Sequence, residues 1–126
     1  ADLVVQSEWP LASLPVALFG HAECVVLVDS PRPEGIAPEK WDHHWRSPDG
    51  GVLLSCARDG DVYRLGMPGI ATFLIDGGGT AITCSPHEAL PPGTLEHVLI
   101  DQVLPRVLTH RGRLVIHAGC VAGIDA

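Results

Sequence analysis

The chain has a single lysine, Lys40, set between Glu39 and Trp41. A phosphate-binding loop of the form G-x-x-x-x-G-K-[ST] needs a lysine directly after glycine, because its ammonium must reach the β- and γ-phosphates. These residues therefore contain no such loop. G-x-S-x-G and H-E-x-x-H are missing as well, so neither a nucleophile elbow nor a zincin helix is encoded. Basic runs are absent: eight Lys and Arg stand against fifteen Asp and Glu, and the net charge of −7 would repel nucleic acid and anionic lipid. Apolar runs such as Val25 to Val28 are far too short to span a bilayer. The start, Ala1-Asp2-Leu3, lacks the basic and apolar regions of a secretory leader. No C-x-x-C pair occurs among Cys24, Cys56, Cys84 and Cys120. All four sit in or beside strand-like segments, which reads as reduced, mostly buried thiols in a cytoplasmic protein; a disulfide pair stays open as the alternative.

What is present suits a folded β-rich protein. Hydrophobic residues make up 46% and charged residues 18%, enough apolar surface for a real core. Aromatics are scarce at 5%, while glycine (14) and proline (11) are plentiful, a mixture suited to short strands joined by turns. The length of 126 residues fits one ordinary domain, or a small domain with a piece of another. Glu23 to Asp29 reads as a strand and the proline-rich Ser30 to Pro38 as a loop. Lys40 to Arg46 is short, aromatic and polar, ahead of a turn at Ser47 to Gly51. Val52 to Arg58 and Asp61 to Leu65 form an expected hairpin around Asp59-Gly60. Ile70 to Ile75 and Thr80 to Cys84 form a second around Asp76 to Gly79.

The pattern changes after Pro91-Pro92-Gly93. Leu95, Val98, Leu99, Val103, Leu104, Val107 and Leu108 recur at three- and four-residue spacing, which predicts a helix from Thr94 to His110. Thr94 is the expected N-cap, Glu96 lies in the first turn, and His110-Arg111-Gly112 supply a basic last turn and a stop. Pro105 lacks the N–H that would bond the Asp101 carbonyl, so a kink is expected there. A strand from Leu114 to Val121 follows. The fold class predicted is α+β: an antiparallel β-rich domain over residues 1–90, then a helix–strand segment over 91–126.

Three short strings carry possible chemistry. Asp42-His43-His44 matches a tripeptide of one phosphoesterase family, whose metals need further aspartates on neighbouring strands that are not evident here; a partly exposed loop is the expectation. His21-x-x-Cys24 would be half a zinc site, with no second close pair to complete it. Asp76-Gly77-Gly78-Gly79-Thr80 resembles the phosphate-binding turns of sugar-kinase-type ATPases, but between two apolar strands it reads as a hairpin.

The stretch Pro91 to Ala126, PPGTLEHVLIDQVLPRVLTHRGRLVIHAGCVAGIDA, resembles the segment just upstream of the P-loop in proteins similar to HPr kinase/phosphorylase. Gln102-Val103-Leu104-Pro105, Arg111-Gly112-Arg113-Leu114 and His117-Ala118 stand in the matching order, with Gly119 and Cys120 where other small residues are more usual. The hairpin region Ile70 to Pro86 is a looser match, and the first 65 or so residues match no motif. The resemblance implies that 91–126 begin a P-loop kinase domain whose parent transfers phosphate from ATP, with magnesium, to a serine of a protein or peptide acceptor. It implies a nucleotide loop beyond Ala126 and an inactive chain without it, binding no ATP or magnesium by itself. It carries over one site residue, His117, as a group assisting phosphoryl transfer. A strand histidine held by packing is the other reading of His117. A non-catalytic β-domain that binds a protein or peptide is the alternative function. An uncovered C-terminal strand edge would favour a homo-oligomer.

Overall fold

The computed structural model describes residues 3–18, 20–29, 40–91 and 93–115. Among the described residues seven strands form one sheet: β1 (Val5–Ser7), β2 (Cys24–Val28), β3 (His43–Arg46), β4 (Val52–Asp59), β5 (Val62–Met67), β6 (Ala71–Ile75) and β7 (Ala81–Pro86). The strand order is β1-β2-β7-β6-β5-β4-β3. From β7 through β3 every pairing is antiparallel, whereas β1–β2 and β2–β7 are parallel. The class is therefore α+β, and the sheet is mostly antiparallel, with a parallel part at β1 and β2. The parallel part arises because β2 and β7 pair across more than fifty residues of intervening chain, a pairing that local pattern does not encode. No helix among the described residues is long and apolar enough to cross a membrane.

Both expected hairpins form. In the first, Asp59 pairs with Val62, so the two-residue turn is Gly60-Asp61, one position later than Asp59-Gly60. Gly60 takes φ 61° and Asp61 stays at negative φ, so the residue free of a Cβ occupies the first central position. In the second, Ile75 pairs with Ile82 and the Asp76 N–H donates to the Ala81 carbonyl (3.1 Å).

His43 and His44 depart from the loop expected at Asp42-His43-His44. His43 to Arg46 are a strand, β3, paired with β4 along His43↔Cys56, His44↔Ser55 and Trp45↔Leu54, with a register shift before Arg46↔Val52. The residues alternate, His43 and Trp45 against His44 and Arg46, but their polarity hides the period. All four side chains of this edge strand are exposed, so no apolar face marks it.

The helix departs furthest from a regular form. It starts at α1 (Thr94–Val98), widens into a π turn over Leu99–Val103 and resumes as α2 (Leu104–His110). Gly93, at φ 81°, holds the N-cap position without a side-chain bond, so Thr94 is the first helical residue, not the cap. Two forces favour the π turn. The ring of Pro105 would crowd the Asp101 carbonyl of a regular helix, and no N–H exists there to bond it. The apolar residues also fall out of phase. In an unbroken α-helix Val103, Leu104 and Val107 would lie about 80°, 180° and 120° around the axis from Leu95. Taking up one extra residue turns them back by about 100°, and all three are buried beside Leu95, Val98 and Leu99. The helix ends in a Schellman motif: Gly112 (φ 78°) donates to Thr109 and Arg113 donates to Leu108, both at 2.9 Å.

One face of the sheet carries Cys24 and Val26 of β2, Ile82 and Cys84 of β7, Phe73 and Ile75 of β6, and Leu65 and Met67 of β5. With the inward residues of the helix these form a single buried cluster. Fully burying side chains of this size contributes about 1.5–3 kcal/mol each.

Candidate functional site

The C-terminal half of the helix does not lie flush on the sheet. Between it and strands β5 and β6 runs an open groove of ≈ 760 Å³. Its floor is Leu65 and Ile75; the helix side supplies Ile100, Asp101, Gln102, Pro105, Arg106 and Thr109, and Val115 also lines it. The π turn places Ile100 to Gln102 on that flank, so the same irregularity that restores the apolar register also shapes the groove. Functional clefts often sit beside such turns.

The groove continues, past Tyr63 and His110, into a smaller pocket of ≈ 360 Å³ bounded by Arg58, Asp61, Gly77 and Gly78. Here two rings and a guanidinium plane stack. His110 meets Tyr63 edge to face, with centroids 4.8 Å apart, and the Arg58 guanidinium lies 5.3 Å from the Tyr63 ring centre. The Nε2–H of His110 donates to the Gly77 carbonyl, which leaves Nδ1 as the acceptor of the neutral ring. Asp101 is engaged by its neighbours: Gln102 donates to it (3.2 Å) and His97 lies 3.9 Å away.

The glycine-rich turn 76–79 is a packed joint. A Cβ on Gly77 would sit 2.7 Å from the Asp61 backbone oxygen, and one on Gly79 would meet Val107 at 3.2 Å. Asp76 braces the turn by accepting bonds from the Thr80 backbone (2.6 Å) and hydroxyl (2.5 Å). Burial pushes its carboxyl upward. The bonds from Thr80 and from the Ala81 and Gly79 backbones outweigh this, so the group titrates below the ordinary aspartate value.

The other strings separate. Cys24 is fully buried in the core while His21 is exposed. Cys84, also fully buried, has its thiol pushed up to about 12 by burial, and Cys24 is raised by burial, with Asp76 adding to the effect and Arg111 opposing it. Such thiols are inert at neutral pH. In the 42–44 string, the Asp42 carboxylate accepts the Arg58 backbone N–H (2.8 Å) and His44 Nδ1 meets Ser55 Oγ at 2.6 Å. Among the described residues that Ser–His pair is the nearest approach to a nucleophile and base. Ser55 is buried, however, which keeps its hydroxyl from a substrate. No group of three or more metal-ligating side chains comes together among the described residues.

His117 and the strand expected from Leu114 to Val121 fall on or run into residues 116–126, which lie outside the described residues. Arg113 to Val115 are not in a strand. Tyr63, Arg58, Arg106 and His110, which build the groove and its extension, carry no site signal in the sequence. Tyr63, Arg58 and the two helix residues come from separate elements and meet only through the sheet order; for the groove itself, the one legible signal is Pro105. Comparisons with protein-family models, with curated proteins and with solved structures give no match to this chain.

Proposed function

We propose that the chain belongs to an ATP-dependent phosphotransferase resembling HPr kinase/phosphorylase. On this reading it supplies the β-sheet and helix that precede the nucleotide loop, and the reaction is phosphoryl transfer from Mg-ATP to a serine of a protein or peptide. The observation that carries the reading is the ordered run Gln102-Val103-Leu104-Pro105, Arg111-Gly112-Arg113-Leu114 and His117-Ala118. Its first two parts span the proline-bearing helix and its Gly112 stop. His117 is the residue assigned to proton handling beside the transferred phosphate, and the cytoplasm is the compartment, in keeping with the buried free thiols Cys24 and Cys84.

The reading makes two demands. Calorimetry of residues 1–126 with Mg-ATP gives no heat of binding, since Lys40 lies outside any glycine-rich loop. The next twenty or so codons of the gene encode G-x-x-x-x-G-K-[ST]. A sub-millimolar dissociation constant for the chain alone, or a stop codon in place of that loop, overturns it.

The groove favours a second reading, a non-catalytic module that binds a protein or peptide. An apolar floor with a polar, aromatic and arginine-bearing rim is a composition suited to a peptide ligand. The stop codon is the outcome that selects this alternative.

A further inference from the structure

A different surface, independent of the phosphotransferase reading, is the free edge of the sheet at β3. This strand stands last in the strand order, so among the described residues its outer backbone groups face no neighbouring strand. All four of its side chains are exposed. Folded proteins usually protect such an edge with proline, lysine or an inward charge. The four residues His43-His44-Trp45-Arg46 contain no proline or lysine; their protection is the shortness of the strand, the Arg46 charge and the register shift between Trp45 and Arg46.

The edge also differs in charge from the rest of the molecule. The chain carries a net charge of −7, yet Arg46 stands on the strand itself and Arg106 reaches over from the helix. The nearest acids in sequence are turned to local donors: Asp42 to the Arg58 N–H, Asp49 to Ser47 and the Gly51 N–H. At the centre lies Trp45, 44% exposed, with the His43 ring edge-on at 4.5 Å and the Arg106 guanidinium 5.8 Å from its own ring. Among the described residues the Arg106 Nε, shielded from solvent, has no hydrogen-bond partner. A tryptophan flanked by arginine and histidine at an unpaired strand edge combines the anchor residues of binding hot spots with a backbone template.

We propose that β3 is a docking edge for an extended acidic peptide. The peptide adds as an eighth strand; its carboxylates lie on the face of His44 and Arg46, and its apolar side chains rest on the other face, on Trp45 beside His43 and Arg106. Three or four paired residues make a small interface, so the association is weak and weakens further with added salt.

The probe is a fluorescein-labelled peptide of alternating glutamate and valine, with two controls. One replaces glutamate by lysine; the other keeps every glutamate but carries proline at alternate positions, so it has the charge without the backbone donors. Anisotropy should show saturable binding of the first peptide with a dissociation constant below about 1 mM. The lysine peptide should not bind, and the proline peptide should bind at least about tenfold more weakly. Amide resonances of His43 to Arg46 should shift on binding. Arg46→Glu should weaken binding at least about tenfold with an unchanged unfolding midpoint, and Trp45→Ala provides a second, uncharged variant. The proposal is overturned by absence of saturable binding, by equal binding of the proline peptide, or by shifts confined to β1 or to the groove. Cross-links joining β3 to β3 of another copy also overturn it, since the occupant is then a second chain.

Discussion

Asp76 illustrates how a single side chain holds this fold. Its carboxylate ties the tip of the β6–β7 hairpin through Thr80, and that tip touches both the first hairpin and the helix end. Its folded-state value lies below the ordinary 3.8. Its contribution is therefore present above the unfolded value and is lost as pH falls through the folded one. Asp76→Asn should cost about 1 kcal/mol at pH 7, the size of a net hydrogen bond. The gap to wild type should begin to narrow as pH falls below about 4. Urea midpoints at pH 7 and pH 3 check this; a gap of equal size at both would show that charge plays no part. At this scale the sequence discloses the hairpin turn but not why each glycine stands in it. Gly77 and Gly79 are required by approach to Asp61 and Val107, residues of other elements.

At the scale of elements, the helix stop is local and the helix shape is not. Gly112 at φ 78° closes a Schellman motif that the run His-Arg-Gly already announces. Gly112→Ala forces a Cβ into the left-handed region and should cost about 1 kcal/mol. Backbone strain is the whole of that cost, because the added atom would stand in open space. A denaturation midpoint equal to wild type would show that the chain ends the helix differently in solution. The π turn is only half legible. Pro105 announces an interruption, but its form follows from the need to bring Val103 and Val107 back over the sheet. Likewise β3 is hidden because an exposed edge strand needs no apolar alternation; its partner β4 makes it a strand.

Across the whole molecule, helix and sheet bury their apolar residues in one cluster. Phe73 on β6 and Leu99 in the π turn are both fully buried within it. Phe73→Ala should therefore cost about 3–5 kcal/mol and Leu99→Ala about 2–5 kcal/mol. Each should lower a single unfolding transition seen alike by far- and near-ultraviolet circular dichroism. Two separable transitions, with each variant moving only one, would show that the residues before and after Pro91 fold independently.

By itself the sequence determined what is local: two hairpins, the strand at Cys24 to Val28, an amphipathic helix with its glycine stop, and an acidic, β-rich chain without a nucleotide loop. Each follows from a period or a turn residue acting within a few positions. Tertiary structure decided the rest. It set β2 parallel to β7, gave the edge strand β3 its pairing, widened the helix by one residue, and brought Tyr63, Arg58, Arg106 and His110 along one groove. These depend on segments far apart in the chain, whose association is settled by shared burial and strand register rather than by the residues next to them.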